Sequence, residues 1–202
     1  MSEPSEAQLR EERRARARGG RTDRLLSASA GVVAASALAV SVYQAYITRE
    51  QQRLSAWPYV VQYHSTADGY RYSMRNLGVG PALVRSMRVR IRGRFVRTWS
   101  DVGRAVFGDT VDALFRRDTA SVVTTTFGRG SVLLPGDVVT MVDVRGRRVP
   151  LALARVLQND SAFVTTVCYC SLYRDCWAAA SDATDPRPVR ACDVNEKTEF
   201  RD

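Results

Sequence analysis

The 24 residues 25–48, LLSASAGVVAASALAVSVYQAYIT, carry no charged side chain and lie between Arg24 and Arg49. A helix rises about 1.5 Å per residue, so some 20 residues cover the roughly 30 Å hydrocarbon core of a bilayer. The stretch therefore predicts one membrane-spanning helix, and it dictates the rest of the plan. A disordered basic cytoplasmic tail (1–24) precedes the transmembrane helix (25–48). A juxtamembrane linker (49–57), a β-sandwich domain (58–179) and an irregular C-terminal tail (180–202) follow it. The competing reading is a cleaved signal peptide, because Ala35-Ser36-Ala37 and Ala37-Leu38-Ala39 have the small residues of a cleavage site. A signal core has only about 7 to 15 apolar residues, whereas this run continues through Tyr43, Tyr46 and Ile47.

Orientation follows from arginine, since positive residues near a span are retained on the cytoplasmic side. Seven precede the stretch (Arg10, Arg13, Arg14, Arg16, Arg18, Arg21 and Arg24). Only Arg49 and Arg53 fall within about 20 residues after it. This predicts the inner (cytoplasmic) membrane, with the N-terminus in the cytoplasm and the larger part extracytoplasmic. All four cysteines lie in that part, where disulfides persist. Of the 30 basic side chains all but Lys197 are arginine. That bias reads as genome composition, and with an exported domain it argues against nucleic acid as a partner.

After Pro58 the hydrophobic period falls to two. Strands are expected at 59–64 and 70–75, divided by the turn residues Asp68-Gly69. The clearest strand has Met87, Val89 and Ile91 alternating with Arg88, Arg90 and Arg92. A hairpin partner at 94–99, two short helices or a structured excursion within 100–117, and strands at 120–127, 131–134, 137–144 and 161–173 follow. Segment 150–159 is ambiguous and compatible with a short helix. The fold class expected is mainly β: one N-terminal transmembrane helix, then an antiparallel β-sandwich with short helical insertions.

Four pieces of the chain carry a resemblance: Trp57-Pro58-Tyr59; Asn76-Leu77-Gly78-Val79-Gly80-Pro81-Ala82; Leu133-Leu134-Pro135-Gly136-Asp137; and Tyr169-Cys170-Ser171-Leu172-Tyr173 with Cys176-Trp177. Over residues 57–177 the chain resembles uncharacterised bacterial single-pass membrane proteins with an extracytoplasmic immunoglobulin-like domain. The resemblance implies a fold and a location, and it brings no catalytic residues.

The cysteines are the most informative chemical group. On a strand, Cys168 and Cys170 point to one face with their α-carbons about 6.6 Å apart and their side chains parallel, so each should seek a partner elsewhere. Four cysteines allow three pairings. The one expected is Cys170 with Cys176 across a short turn and Cys168 with Cys192. The alternative is a copper site, because Cys168 and Cys170 as thiolates would hold a soft cation such as Cu(I). Little else supports a metal, with His64 the one histidine and four methionines scattered along the chain. No cofactor is therefore expected. A third reading, an envelope hydrolase, has only His64 to serve as base, and no enzymatic activity is expected. The outward arginines Arg88, Arg90 and Arg92 form a candidate binding face for an acidic partner or anionic lipid headgroups. The functional expectation is a membrane-anchored binding module of the cell envelope, with another envelope protein as partner.

Overall fold

The computed structural model describes residues 6–159 and 162–201, which divide into two compact units between Gln52 and Arg53. Helix α1, Glu6–Ser55, makes up the described part of the first unit, and its last three residues belong to the second. Within α1, Leu26–Ser55 is long and apolar enough to cross a membrane, with a mean hydropathy of 1.7 over its most apolar 18 residues. Three of its hydroxyls are satisfied along the helix. Ser29, Ser36 and Ser41 donate to the carbonyls of Leu26, Val32 and Ala37 at 2.9, 2.9 and 2.8 Å, which spares them any need for water.

Two expected boundaries change. Helix begins at Glu6, inside the tail expected to be disordered, and residues 1–5 lie outside the described residues. The segment is composed largely of Ala, Arg, Glu and Leu, which are strong helix formers. Helix also runs through the expected linker 49–57 as far as Ser55. Pro58 stops it, because the residue before a proline is pushed toward extended conformation.

The second unit contains strands β1 (Val60–Ser65), β2 (Tyr70–Asn76), β3 (Ala82–Ile91), β4 (Arg94–Val96), β5 (Ser121–Thr124), β6 (Val132–Leu133), β7 (Val138–Arg145), β8 (Phe163–Cys170), β9 (Cys176–Ala180) and β10 (Arg187–Val189). Helices α2 (Trp99–Phe107) and α3 (Val111–Asp118), joined by a 3₁₀ turn, lie between β4 and β5, and α4 (Val149–Leu157) lies between β7 and β8. The strands make two antiparallel sheets. One has the order β1-β2-β7-β5; the other has the order β10-β9-β8-β3-β4, with β6 also on β3. Tyr70, Tyr72 and Met74 of β2, Met141 and Val144 of β7, Met87, Val89 and Ile91 of β3, and Phe163, Val167 and Tyr169 of β8 share one buried cluster. The two sheets thus enclose a common core. The alternation along β3 puts its apolar set inside, and burial of each such side chain contributes about 1.5–3 kcal/mol. Burial also pushes the hydroxyl of Tyr169 up to about 12, and that hydroxyl accepts from Val60 N at 3.2 Å, joining the sheets.

Asn76 ties the loop after β2 to both sheets. Its side chain is fully buried and uses its whole bonding capacity. Oδ1 accepts from Tyr59 N at 3.1 Å and Gly78 N at 3.0 Å, while Nδ2 donates to Gly80 O at 2.8 Å and Leu133 O at 3.0 Å. The glycines of this loop are required by close approach. A Cβ on Gly78 would collide with the Trp57 carbonyl and the Tyr59 amide, and one on Gly80 with the Ala56 carbonyl.

Helix ends are capped by acids near and far in sequence. Thr98 and Asp101 form a capping box on α2. Helix α4 has no side-chain cap of its own; Asp118, at the end of α3, accepts from Arg147, Arg148 and Val149 backbone N–H groups at 2.9–3.0 Å. The hydrogen bond from Val149 leads the causes that hold the Asp118 carboxyl below its ordinary range.

The tail 180–202 is not irregular throughout. It contributes β10, and further on it seals the edge of β3 between β6 and β4. Met87 N donates to Glu199 Oε1 at 2.9 Å, Phe200 N donates to Met87 O at 2.8 Å and Arg201 N to Arg97 O at 2.7 Å. Phe200 then enters the core against Trp99, with ring centroids 5.2 Å apart. The folded unit therefore extends well beyond the boundary at 179.

Candidate interaction face and sulfur cluster

The three arginines expected to form one ladder are separated by the structure. Arg88 is half-buried and pairs with Asp193 of the tail at 3.3 Å. Arg90 is exposed and faces Phe95 across the hairpin. Strand β3 ends at Ile91, and Arg92 turns the corner with φ 47°, its guanidinium donating to the Ala105 carbonyl at 3.3 Å. The outward register of the arginines holds, but Arg92 belongs to a different feature.

That feature is a groove of about 660 Å³ between the β3–β4 hairpin and α2, lined by Arg92, Arg94, Phe95, Arg97, Asp101 and Ala105. Its charge is decidedly positive, because Asp101 is already engaged. Desolvation works to raise the Asp101 carboxyl, but hydrogen bonds from Thr98, the Arg97 backbone and Arg104 outweigh it and hold the carboxyl below its usual value. Phe95 is 47% exposed and supplies an apolar contact beside the cations. Such a groove is suited to carboxylates carried on a partly apolar segment. Arg94 and Arg97 continue the arginine pattern in sequence; the part played by Phe95 has no sequence signal apart from its place in a short hairpin strand.

The cysteines meet on the outer face of β8. Cys170 stands opposite Cys176 in the β8–β9 register with Cα atoms 4.0 Å apart, and their sulfurs are 2.09 Å apart. Cys168 and Cys192 have sulfurs 2.06 Å apart and α-carbons 5.6 Å apart. These are disulfide distances. The two pairs also touch, with Cys170 Sγ 3.9 Å from Cys192 Sγ, and among the described residues Cys170, Cys176 and Cys192 place their sulfurs within 4.8 Å of one another. Cys168 and Cys170 do share a face, as a metal pair would require. In this state, however, both sulfurs are bonded to other cysteines and offer no thiolate to a cation.

His64 sits apart from both features. Its ring stacks on Tyr72 at 4.8 Å and its Nδ1 lies 2.8 Å from the Tyr70 hydroxyl, while burial raises both tyrosines above their ordinary range. Tyr72 in turn donates to Gln62 Oε1. The histidine is thereby part of the aromatic packing between β1 and β2. No protein-family model, curated protein or solved structure matches this chain.

Proposed function

We propose that the protein is a single-pass, membrane-anchored binding module of the cell envelope, with its N-terminus in the cytoplasm and an extracytoplasmic immunoglobulin-like domain that engages an acidic region of another envelope protein. The observation that carries the binding role is the groove at the β3–β4 hairpin, where Arg92, Arg94 and Arg97 surround an exposed phenylalanine. Support for the immunoglobulin-like assignment comes from connectivity. The order β1-β2-β7-β5 matches A-B-E-D, and β9-β8-β3-β4 matches G-F-C-C′, of that sandwich. Export is supported by the arginine asymmetry about the apolar helix and by two cysteine pairs at disulfide distance.

The test has two parts. Alkaline phosphatase fused after residue 202 should be active, and activity only from a reporter that works in the cytoplasm would reverse the orientation. In crosslinked membranes, replacement of Arg92, Arg94 and Arg97 by glutamine should abolish partner capture that in the parent chain weakens with salt. Capture that persists in this variant would remove the groove from the binding role. Copper handling is favoured only by the mutual approach of Cys170, Cys176 and Cys192, and it requires the thiols to be free. Stoichiometric Cu(I) binding by protein isolated with free Cys168 and Cys170 would put that reading first.

A further inference from the structure

The two ends of the β-domain differ in kind. Pairing of Val60 with Asn76, Arg75 with Val138, Leu83 with Cys170 and Cys170 with Cys176 brings the starts of β1, β3, β7 and β9 and the finishes of β2 and β8 to one end. The bond from Asn76 Nδ2 to Leu133 O fastens the two sheets together there. The loops of this end expose Trp57, Leu77, Val79, Leu134, Leu172 and Tyr173, each 40–65% accessible. Arg75 and Arg174 are exposed among them. At the opposite end the turns themselves are polar and basic, Thr66-Ala67-Asp68-Gly69, Arg92-Gly93 and Arg145-Gly146-Arg147-Arg148, and the exposed apolar side chains Phe95 and Leu151 belong to β4 and α4.

We infer that the apolar end seats on the lipid bilayer, its aliphatic and aromatic side chains entering the headgroup region and its arginines meeting anionic headgroups. Covalent continuity favours lipid over another occupant. The chain arrives at Trp57 nine residues after Thr48, the last residue of the uncharged stretch. Nine residues reach at most about 30 Å even when fully extended, so an end that begins with Trp57 is tethered close to the interface. Tryptophan and tyrosine are the residues enriched at that depth. Exposed apolar loops spread over four separate connections would otherwise be an aggregation liability.

This inference rests on the anchor reading of α1, and the experiment separates the two. The full chain is reconstituted in phosphatidylcholine and phosphatidylglycerol nanodiscs with brominated acyl chains, which quench tryptophan only at short range. In a Trp57→Phe background, a tryptophan introduced by Leu172→Trp or Leu134→Trp should lose emission relative to unbrominated nanodiscs, beyond the change that Trp99 and Trp177 show in the Trp57→Phe chain itself. One introduced by Val123→Trp, on the exposed strand β5, should not. Bromine quenches only at short range, so a tether of up to about 30 Å does not by itself quench positions 134 and 172. Equal emission from Leu172→Trp, Leu134→Trp and Val123→Trp in a chain that resists carbonate extraction overturns the seating and leaves the anchor standing. Protection of Leu172→Trp by a second copy without quenching overturns it likewise. A chain that carbonate removes from membranes overturns the anchor and the seating together.

Discussion

Replacing Asn76 by alanine tests whether one side chain holds the loop after β2 to both sheets. The change strands two backbone donors, Tyr59 N and Gly78 N, and two acceptors, Gly80 O and Leu133 O. A buried donor left without a partner costs about 1–3 kcal/mol, and a neutral hydrogen bond contributes a net of about 0.5–1.5 kcal/mol. The low ends of these ranges, applied to two donors and two acceptors, give a loss of roughly 3 kcal/mol. With a urea dependence of about 2 kcal/mol per molar, the unfolding midpoint should drop by roughly 1.5 M. The assay is urea unfolding of the reconstituted chain followed by tryptophan emission, with disulfides intact. Val123→Ala, on β5 and 64% exposed, is the control and should stay within about 0.5 kcal/mol of the parent. If Asn76→Ala unfolds at the same urea concentration as Val123→Ala, the four bonds do not hold the loop and the reasoning is wrong.

Other perturbations probe separate parts of the domain. Val89→Asp should prevent folding, because it places an unpaired charge in a fully buried position; Arg88, Arg90 and Arg92 replaced together by glutamine should leave the far-ultraviolet spectrum unchanged, and equal tolerance of both would mean the strand register is wrong. Peptide mapping of unreduced protein should recover Cys168 with Cys192 and Cys170 with Cys176, and Cys170→Ser should lower stability by about 2–4 kcal/mol; any other linked pair contradicts the geometry. Asp118 should stabilise the domain most at neutral pH. Because its carboxyl is held below the ordinary value, its contribution is complete above the unfolded value of about 4 and disappears as pH falls through the folded one. The difference in thermal midpoint between parent and Asp118→Asn should therefore close on acidification, and a constant difference down to pH 2 would show that the cap does not act through its charge.

What could be read from sequence was whatever repeats at short range. Met87, Val89 and Ile91 against three arginines place β3 and its faces without further help, and Asp68-Gly69 locates the first hairpin. Cys176-Trp177-Ala178-Ala179-Ala180 shows no alternation and has helix-forming alanines, yet it is a strand, because β8 offers it a hydrogen-bonding edge. Tertiary pairing overrides local propensity there. The groove draws its members from a hairpin and from α2, and Asp118 caps a helix that starts some 30 residues later. Neither arrangement leaves a local pattern. Glu199 and Phe200 lie in a polar stretch whose composition suggests an irregular tail, and only the unpaired edge of β3 explains their burial.

The seal on that edge also sets a timetable for synthesis. Met87 receives its partner from Glu199, 112 positions later. At roughly 5–20 residues per second, that interval keeps the edge of β3 open for roughly 6 to 22 seconds after Met87 is made. During that time the strand beside the core displays unpaired amide and carbonyl groups that another nascent chain could pair with. The arginines at 85, 88 and 90 are already present through the same interval, and like charges on neighbouring chains repel. Arginines that line no part of the finished groove thus act earlier as guards, keeping nascent copies apart until residue 200 arrives to close the edge.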